Sequence, residues 1–167
     1  MAADEAGYRE YVIHRLDGFR RTAFLLCGDW HQADDLVSIA LVKLLRHWRR
    51  VSVMEQPDAY VRRVLLRAWL DERRRPWRRE RPMEAVPDQA ADPANVNAYV
   101  ERTAILSHLA ELPPRRRAVL VLRYFCDLSV EQTAAALGCT EGTVKSQTAR
   151  ALDTLRARLV DVPAMEE

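Results

Sequence analysis

Residues 128–155 read LSVEQTAAALGCTEGTVKSQTARALDTL, two short runs with helical spacing that meet at one glycine. Ser129 with Gln132 three residues on is the pattern of a capping box, in which each residue satisfies a free backbone N–H at the helix start. Ala134 is small where two helices must approach closely. Gly138 can take the left-handed backbone that ends a helix, and Thr140 can cap the next one. The second helix is expected to bury Val144, Thr148, Ala151, Leu152 and Leu155. That leaves Thr143, Lys145, Ser146, Ala149 and Arg150 facing outward near its start.

Small and polar side chains at a helix N-terminus suit the major groove of DNA, where bulky apolar ones do not. The free N–H groups there also suit a phosphate. A plain αα-corner shares the glycine turn. Cap, small residue, glycine, second cap and outward face together point to the DNA-reading version.

The rest of the composition favours helices. The 167 residues contain only five glycines and three phenylalanines, 49% of them are hydrophobic, and 30% are charged. Leu, Ala, Arg and Val dominate, which argues for an all-α chain. MAADEAGY is acidic and lacks an apolar run, so no signal peptide is expected. FLLC and AVLVL are too short to cross a bilayer, so no membrane partner is expected. Cys27, Cys126 and Cys139 lack metal-ligand spacing and fit a reduced, cytoplasmic protein.

Three helices are predicted before the middle of the chain. The first covers 8–26, with Tyr8, Tyr11, Val12, Leu16, Phe19, Ala23 and Leu26 on one face and Gly28 as its stop. The second buries Ala33, Leu36, Val37, Ala40, Leu41, Leu44, Leu45 and Trp48, and turns Asp35, Ile39, Val42 and Arg46 outward. Exposed branched apolar residues at 39 and 42 are unusual for a solvent face. The third opens at Pro57, where proline is tolerated, packs Tyr60, Val61, Val64, Leu65 and Ala68, and ends or bends at Pro76. Four of the eight prolines fall at 76–93, and 82–96 reads as a linker between two halves with their own apolar stripes. Helices resume at about 97–111, break at Pro113–Pro114, and continue through PRRRAVLVLRYFCD into the corner.

The net charge of +2 hides an uneven distribution. Residues 43–81 hold thirteen of the 26 Lys and Arg side chains against five acids, a local excess of eight positive charges that fits a polyanion. Trp69 and Trp77 lie among Arg67, Arg73, Arg74, Arg75, Arg78 and Arg79, an arrangement that would stack unpaired bases; a core role for Trp69 fits the spacing equally well. Enzymatic readings find little support. The four histidines are scattered, and His31 beside Asp34 and Asp35 is read as a surface histidine near helix N-terminal acids. No phosphate loop or nucleophile elbow occurs, so no catalysis, metal or cofactor is expected. A DNA-binding regulator of the signal-receiving kind would need a sensing domain in front, and none is visible.

LPPRRRAVLVLRYFCDLSVEQTAAALGCTEGTVKSQTARALDTLRARL resembles region 4 of bacterial sigma factors. GDWHQADDLVSIALVKLL resembles region 2.2, and AYVRRVLLRAWLDERRR resembles regions 2.3–2.4. Their order over nearly the whole chain resembles the two-domain extracytoplasmic-function (ECF) sigma factors, in particular a SigE-like actinobacterial subgroup. Three positions depart from the pattern. Ser38-Ile39 stand for the usual glutamine-glutamate, Arg67 for a frequent asparagine, and Thr148 for an apolar residue.

The resemblance implies two small helical domains: sigma region 2 over 1–81, and a region 4 helix-turn-helix over 97–167, joined by the 82–96 linker. It implies a factor that binds core RNA polymerase and promoter DNA as a monomer in that complex, and that reads the −10 and −35 elements. By the same analogy Thr140, Thr143, Lys145, Ser146, Gln147, Ala149 and Arg150 face the −35 element. Arg62, Arg63, Arg67, Trp69, Arg73 and Arg74 face the −10 element, with the loop 49–58 holding a flipped base. Asp34, Asp35, Ser38, Ile39 and Val42 face polymerase. Many relatives are held by an anti-sigma factor, though nothing in these residues shows one.

Overall fold

A computed structural model describes residues 2–74 and 104–160. The bend at Pro76, Trp77, the 82–96 linker and the start of the helix expected from 97 lie outside the described residues. Among those described there is no strand, and no helix is long and apolar enough to cross a membrane.

Helix α1 (Ala2–Cys27) carries Asp4 and Glu5 in its first turn, where acids favour the helix dipole. It ends at Gly28, whose φ of +76° is the left-handed conformation anticipated there; the Gly28 N–H donates to Phe24 O at 2.7 Å. Asp29 then caps α2 (Trp30–Val51) by accepting from the Gln32 N–H at 2.9 Å. Helix α3 (Pro57–Arg73) starts on its proline. Tyr8, Tyr11, Val12, Leu16, Phe19, Ala23 and Leu26 all join the core between these helices, together with Leu36, Ala40, Leu44, Val61 and Leu65.

Three residues depart from the expected wheels. Leu45, placed on the inner stripe by spacing, is 53% exposed; it sits at the edge of the stripe, one helical step beyond Val42. Phe24 and Leu66, absent from the expected faces, are buried. Phe24 stacks on Trp30 with ring centroids 4.2 Å apart. Phe24 is thus covered by α2, while Leu66 lies in the cluster that Ala118, Val121, Leu122 and Leu128 of the C-terminal half join.

That half comprises helical residues 104–110 (α4), α5 (Pro114–Leu120), a π-helical turn (Val121–Phe125), α6 (Val130–Leu137) and α7 (Glu141–Val160). The wide turn had no signal in the sequence. It closes through Cys126 N–H to Val121 O at 3.0 Å and Leu128 N–H to Leu122 O at 3.0 Å, with Asp127 at φ +54°. Ala118, Val121, Leu122 and Leu128 share one apolar cluster with Leu65, Leu66 and Trp69. Leu25 of α1 also packs against Leu109, Leu112, Leu120 and Ala151. The two halves therefore have apolar stripes of their own and are also docked on one another.

Candidate nucleic-acid and polymerase interfaces

The corner between α6 and α7 is built as its residues require. Gln132 N–H donates to Ser129 Oγ at 3.0 Å, and Ser129 N–H donates to Gln132 Oε1 at 2.9 Å, completing the capping box. Gly138 takes φ +65°, and Cys139 N–H reaches Ala134 O at 3.1 Å. Thr140 Oγ1 accepts from the Thr143 N–H at 3.2 Å. Val144 and Ala151 are buried, while Leu152 and Leu155 pack at the edge of the core. Thr148 is half-buried, and its hydroxyl donates to Val144 O at 2.7 Å. The hydroxyl is thus satisfied within its own helix, which lets a threonine occupy an apolar position.

Thr140, Lys145, Ser146, Ala149 and Arg150 are exposed, and Thr143 and Gln147 are half-buried beside them. Lys145 and Arg150 have no ion-pair partner among the described residues. One residue of this surface was not singled out from sequence. Arg116 of α5 donates through Nε to Gln147 Oε1 at 3.3 Å. The PRRR run at the α5 N-terminus carried the signal, but its partner is 31 positions away.

On α3, Arg63, Arg67 and Asp71 are exposed, and Arg74 at its C-cap continues the same side at helical spacing. Arg62 is half-buried and lies 3.6 Å from Asp58, and Arg73 is half-buried. Trp69 is 1% exposed and packs in the core, so in this arrangement it offers no face to a base. Its place four residues beyond Leu65 and eight beyond Val61 continues the inner row. Between α2 and α3, Ser52–Gln56 form a tight loop shorter than the 49–58 segment, with Val53 83% exposed at its tip.

Asp34, Asp35, Ser38, Ile39 and Val42 are all exposed along the outer side of α2, and Leu45 extends the apolar part of that strip. Asp34 is held by Arg20, Nε to Oδ1 at 2.6 Å, and Arg20 lies over the Trp30 ring. Among the described residues, no group of His, Cys, Asp or Glu is arranged to hold a metal.

A capped helix-turn-helix docked on a three-helix unit with a basic helix and an apolar outer strip defines a transcription-initiation factor of sigma type. Residues 12–79 match the family model for Sigma-70 region 2, and residues 102–155 match that for Sigma-70 region 4. The chain belongs to the sigma-70 family, among its ECF members. It is 37% identical to the RNA polymerase sigma-E factor of Streptomyces avermitilis over 95% of this chain and 90% of that one. It is also 37% identical to the sigma-E factor of Streptomyces coelicolor, over 92% and 86%. The ECF RNA polymerase sigma factor SigL of Mycobacterium tuberculosis is 34% identical over 85% and 82%. The fold is shared with the sigma factor RpoE of Bartonella quintana, solved in complex with the anti-sigma factor NepR. That match has a TM-score of 0.75 at 21% identity and covers 95% of this chain and 99% of that one. CnrH, solved with the cytosolic domain of CnrY, matches at a TM-score of 0.66 with 21% identity, over 96% and 91%.

Proposed function

We propose that this chain binds core RNA polymerase and directs promoter-specific initiation of transcription, with no chemistry of its own. The observation that carries the reading is the capped corner at Gly138, which presents Lys145, Ser146, Ala149 and Arg150 on an open helical face. The N-terminus of α7 enters the major groove of the −35 element. Lys145 and Arg150 supply donors there, while Ser146 and Ala149 are small enough to let the helix seat.

Arg63 and Arg67 on α3, with Arg74 at its C-cap, supply phosphate contacts near the −10 element, so binding there weakens steeply with salt. The outer strip of α2, with Ile39, Val42 and Leu45 beside Asp34 and Asp35, docks on polymerase. Residues 1–81 act as the polymerase and −10 unit, 82–96 as the tether, and 97–167 as the −35 unit. The protein works in the cytoplasm, where core polymerase is. An anti-sigma factor is a fitting further partner, because the sigma factor RpoE of Bartonella quintana, which shares this fold, was solved in complex with one.

Run-off transcription with core polymerase tests the reading. Addition of the protein should stimulate transcripts from a template bearing matched −35 and −10 elements, and substitution of either element should abolish the stimulation. No stimulation from any template in a promoter library would sink it.

A further inference from the structure

The three arginines of the PRRR run at the start of α5 meet three different surroundings. Arg115 is exposed, and Arg117 is buried with its Nε donating to Leu25 O at 2.6 Å. Arg116 between them is half-buried and donates through Nε to Gln147 Oε1 at 3.3 Å. Gln147 stands on α7 between Thr143 and Arg150, one helical step from each, at the rim of the exposed face.

Packing holds this pair in register. Val119, three residues beyond Arg116, shares a buried cluster with Val144, three residues before Gln147. Leu120, four residues beyond Arg116, shares another with Ala151, four residues beyond Gln147. These two clusters fix α5 against α7 on the turns that flank the contact. Two nearby hydroxyls are engaged within α7 itself: Ser146 donates to Thr143 O at 3.1 Å, and Thr148 donates to Val144 O at 2.7 Å. Gln147 is instead oriented from another helix.

An amide has two ends, and the end shown to a base decides what it can read. Its oxygen accepts and its NH2 donates. A guanidinium only donates and carries a full positive charge, so it draws the oxygen and turns the NH2 away. In the major groove G and T present keto oxygens as acceptors, while A and C present amino groups as donors. A free glutamine suits adenine, giving one hydrogen bond to N7 and taking one from the amino group. With its oxygen directed at α5, Gln147 loses the second of these bonds. The adenine amino group then faces another donor, and two unpaired donors at a dry contact cost more than one lost bond.

We propose that Arg116 is a positioning residue for base reading: by holding the oxygen of Gln147 it makes the amide a donor, so that one position of the −35 element is read as G or T and not as A or C. The inference rests on the sigma-factor reading and names the chemistry of one contact within it.

Transcription by the full chain with core polymerase, from a template library randomised over both promoter elements, tests it. Each template carries a downstream barcode, so that sequencing the transcripts reports which promoters were used. On the strand that Gln147 reads, the wild type should favour G or T over A or C at one −35 position by at least ~5-fold. Gln147→Ala should flatten that position alone, which identifies it. Arg116→Met keeps an apolar stem and deletes the donors. The freed amide should turn, and adenine should gain at the same position by at least ~5-fold relative to the wild type. Arg116→Lys still only donates and should keep the wild-type preference. A packing or phosphate role for Arg116 would lower all templates alike and would not raise adenine. An unchanged profile or a uniform loss in Arg116→Met overturns the proposal and leaves the sigma-factor reading standing, as does a Gln147→Ala profile equal to that of the wild type. Failure of the wild type to stimulate any template overturns both.

Discussion

The Tyr11 hydroxyl of α1 donates to Asp58 Oδ1 in the first turn of α3 at 2.5 Å. The same carboxylate lies 3.5 Å from Arg15 and 3.6 Å from Arg62. Burial first, and then the Asp58 charge, raise the Tyr11 pKa well above its usual value, so the phenol stays protonated as the donor. One acid thus ties α1 to α3 and also engages an arginine assigned to the −10 face. Tyr11→Phe should cost about 1.5–3 kcal/mol, the range for a hydrogen bond to a charged group. Urea unfolding would measure it, and an unchanged midpoint would show that the bond contributes nothing.

The outer strip of α2 should carry partner binding and little stability. Ile39→Asp and Leu45→Asp remove exposed apolar surface, so the melting temperature should stay nearly constant. Affinity for core polymerase should fall. A large loss of stability with intact polymerase binding would mean that this strip packs inward in solution.

Lys145→Ala and Arg150→Ala should weaken −35 recognition without unfolding the chain. A lost base contact costs ~1–3 kcal/mol and relaxes preference at one position, whereas a lost phosphate contact weakens all sequences alike and lowers the salt slope. Titration of −35 duplex variants at several salt concentrations separates the two. Normal transcription by both variants from a −35-dependent promoter would place the recognition face elsewhere.

The corner itself should be sensitive to its caps. Ser129→Ala removes one arm of the capping box and should cost about 1 kcal/mol. Gly138→Ala forces a side chain into the left-handed region at φ +65° and should cost about 1 kcal/mol as well. Thermal melts of both variants check this. Space is not the cause at Gly138, since a Cβ there meets nothing within 4 Å, so Gly138→Asn should be milder than Gly138→Ala.

Cys27 gives stability a pH dependence. Burial pushes its thiol from 9.0 up to about 11. The folded-state value lies above the unfolded one, so this contribution is complete below pH 9 and is lost as pH rises from 9 through 11. Between pH 8 and pH 10 the wild type should lose about 1 kcal/mol more than Cys27→Ala, measured by urea unfolding at both pH values. Tyr11 titrates in the same direction in both proteins, while Arg117 is coupled to Cys27, so the comparison reads the Cys27–Arg117 pair together.

Local chemistry determined much of this protein before any coordinates. Ser129 with Gln132, Gly138 and Thr140 fix the corner because caps and a left-handed glycine act over three or four neighbouring residues. Gly28, Asp29 and Pro57 mark helix ends for the same reason. The inner rows of α1 and α2 follow from a 3.6-residue period, which needs only one covering surface. Tertiary structure decided what a single wheel cannot. Phe24 is buried beneath Trp30 of α2 and Leu66 lies in a cluster that the C-terminal half joins, and Leu45 is exposed because the stripe of α2 ends beside it. The π-helical turn at Val121–Phe125 and the seating of Arg117 on Leu25 join residues whose partners are chosen by packing, across separations that carry no periodic signal. The sequence therefore determined the helices and the capped corner, while packing decided how the two halves meet.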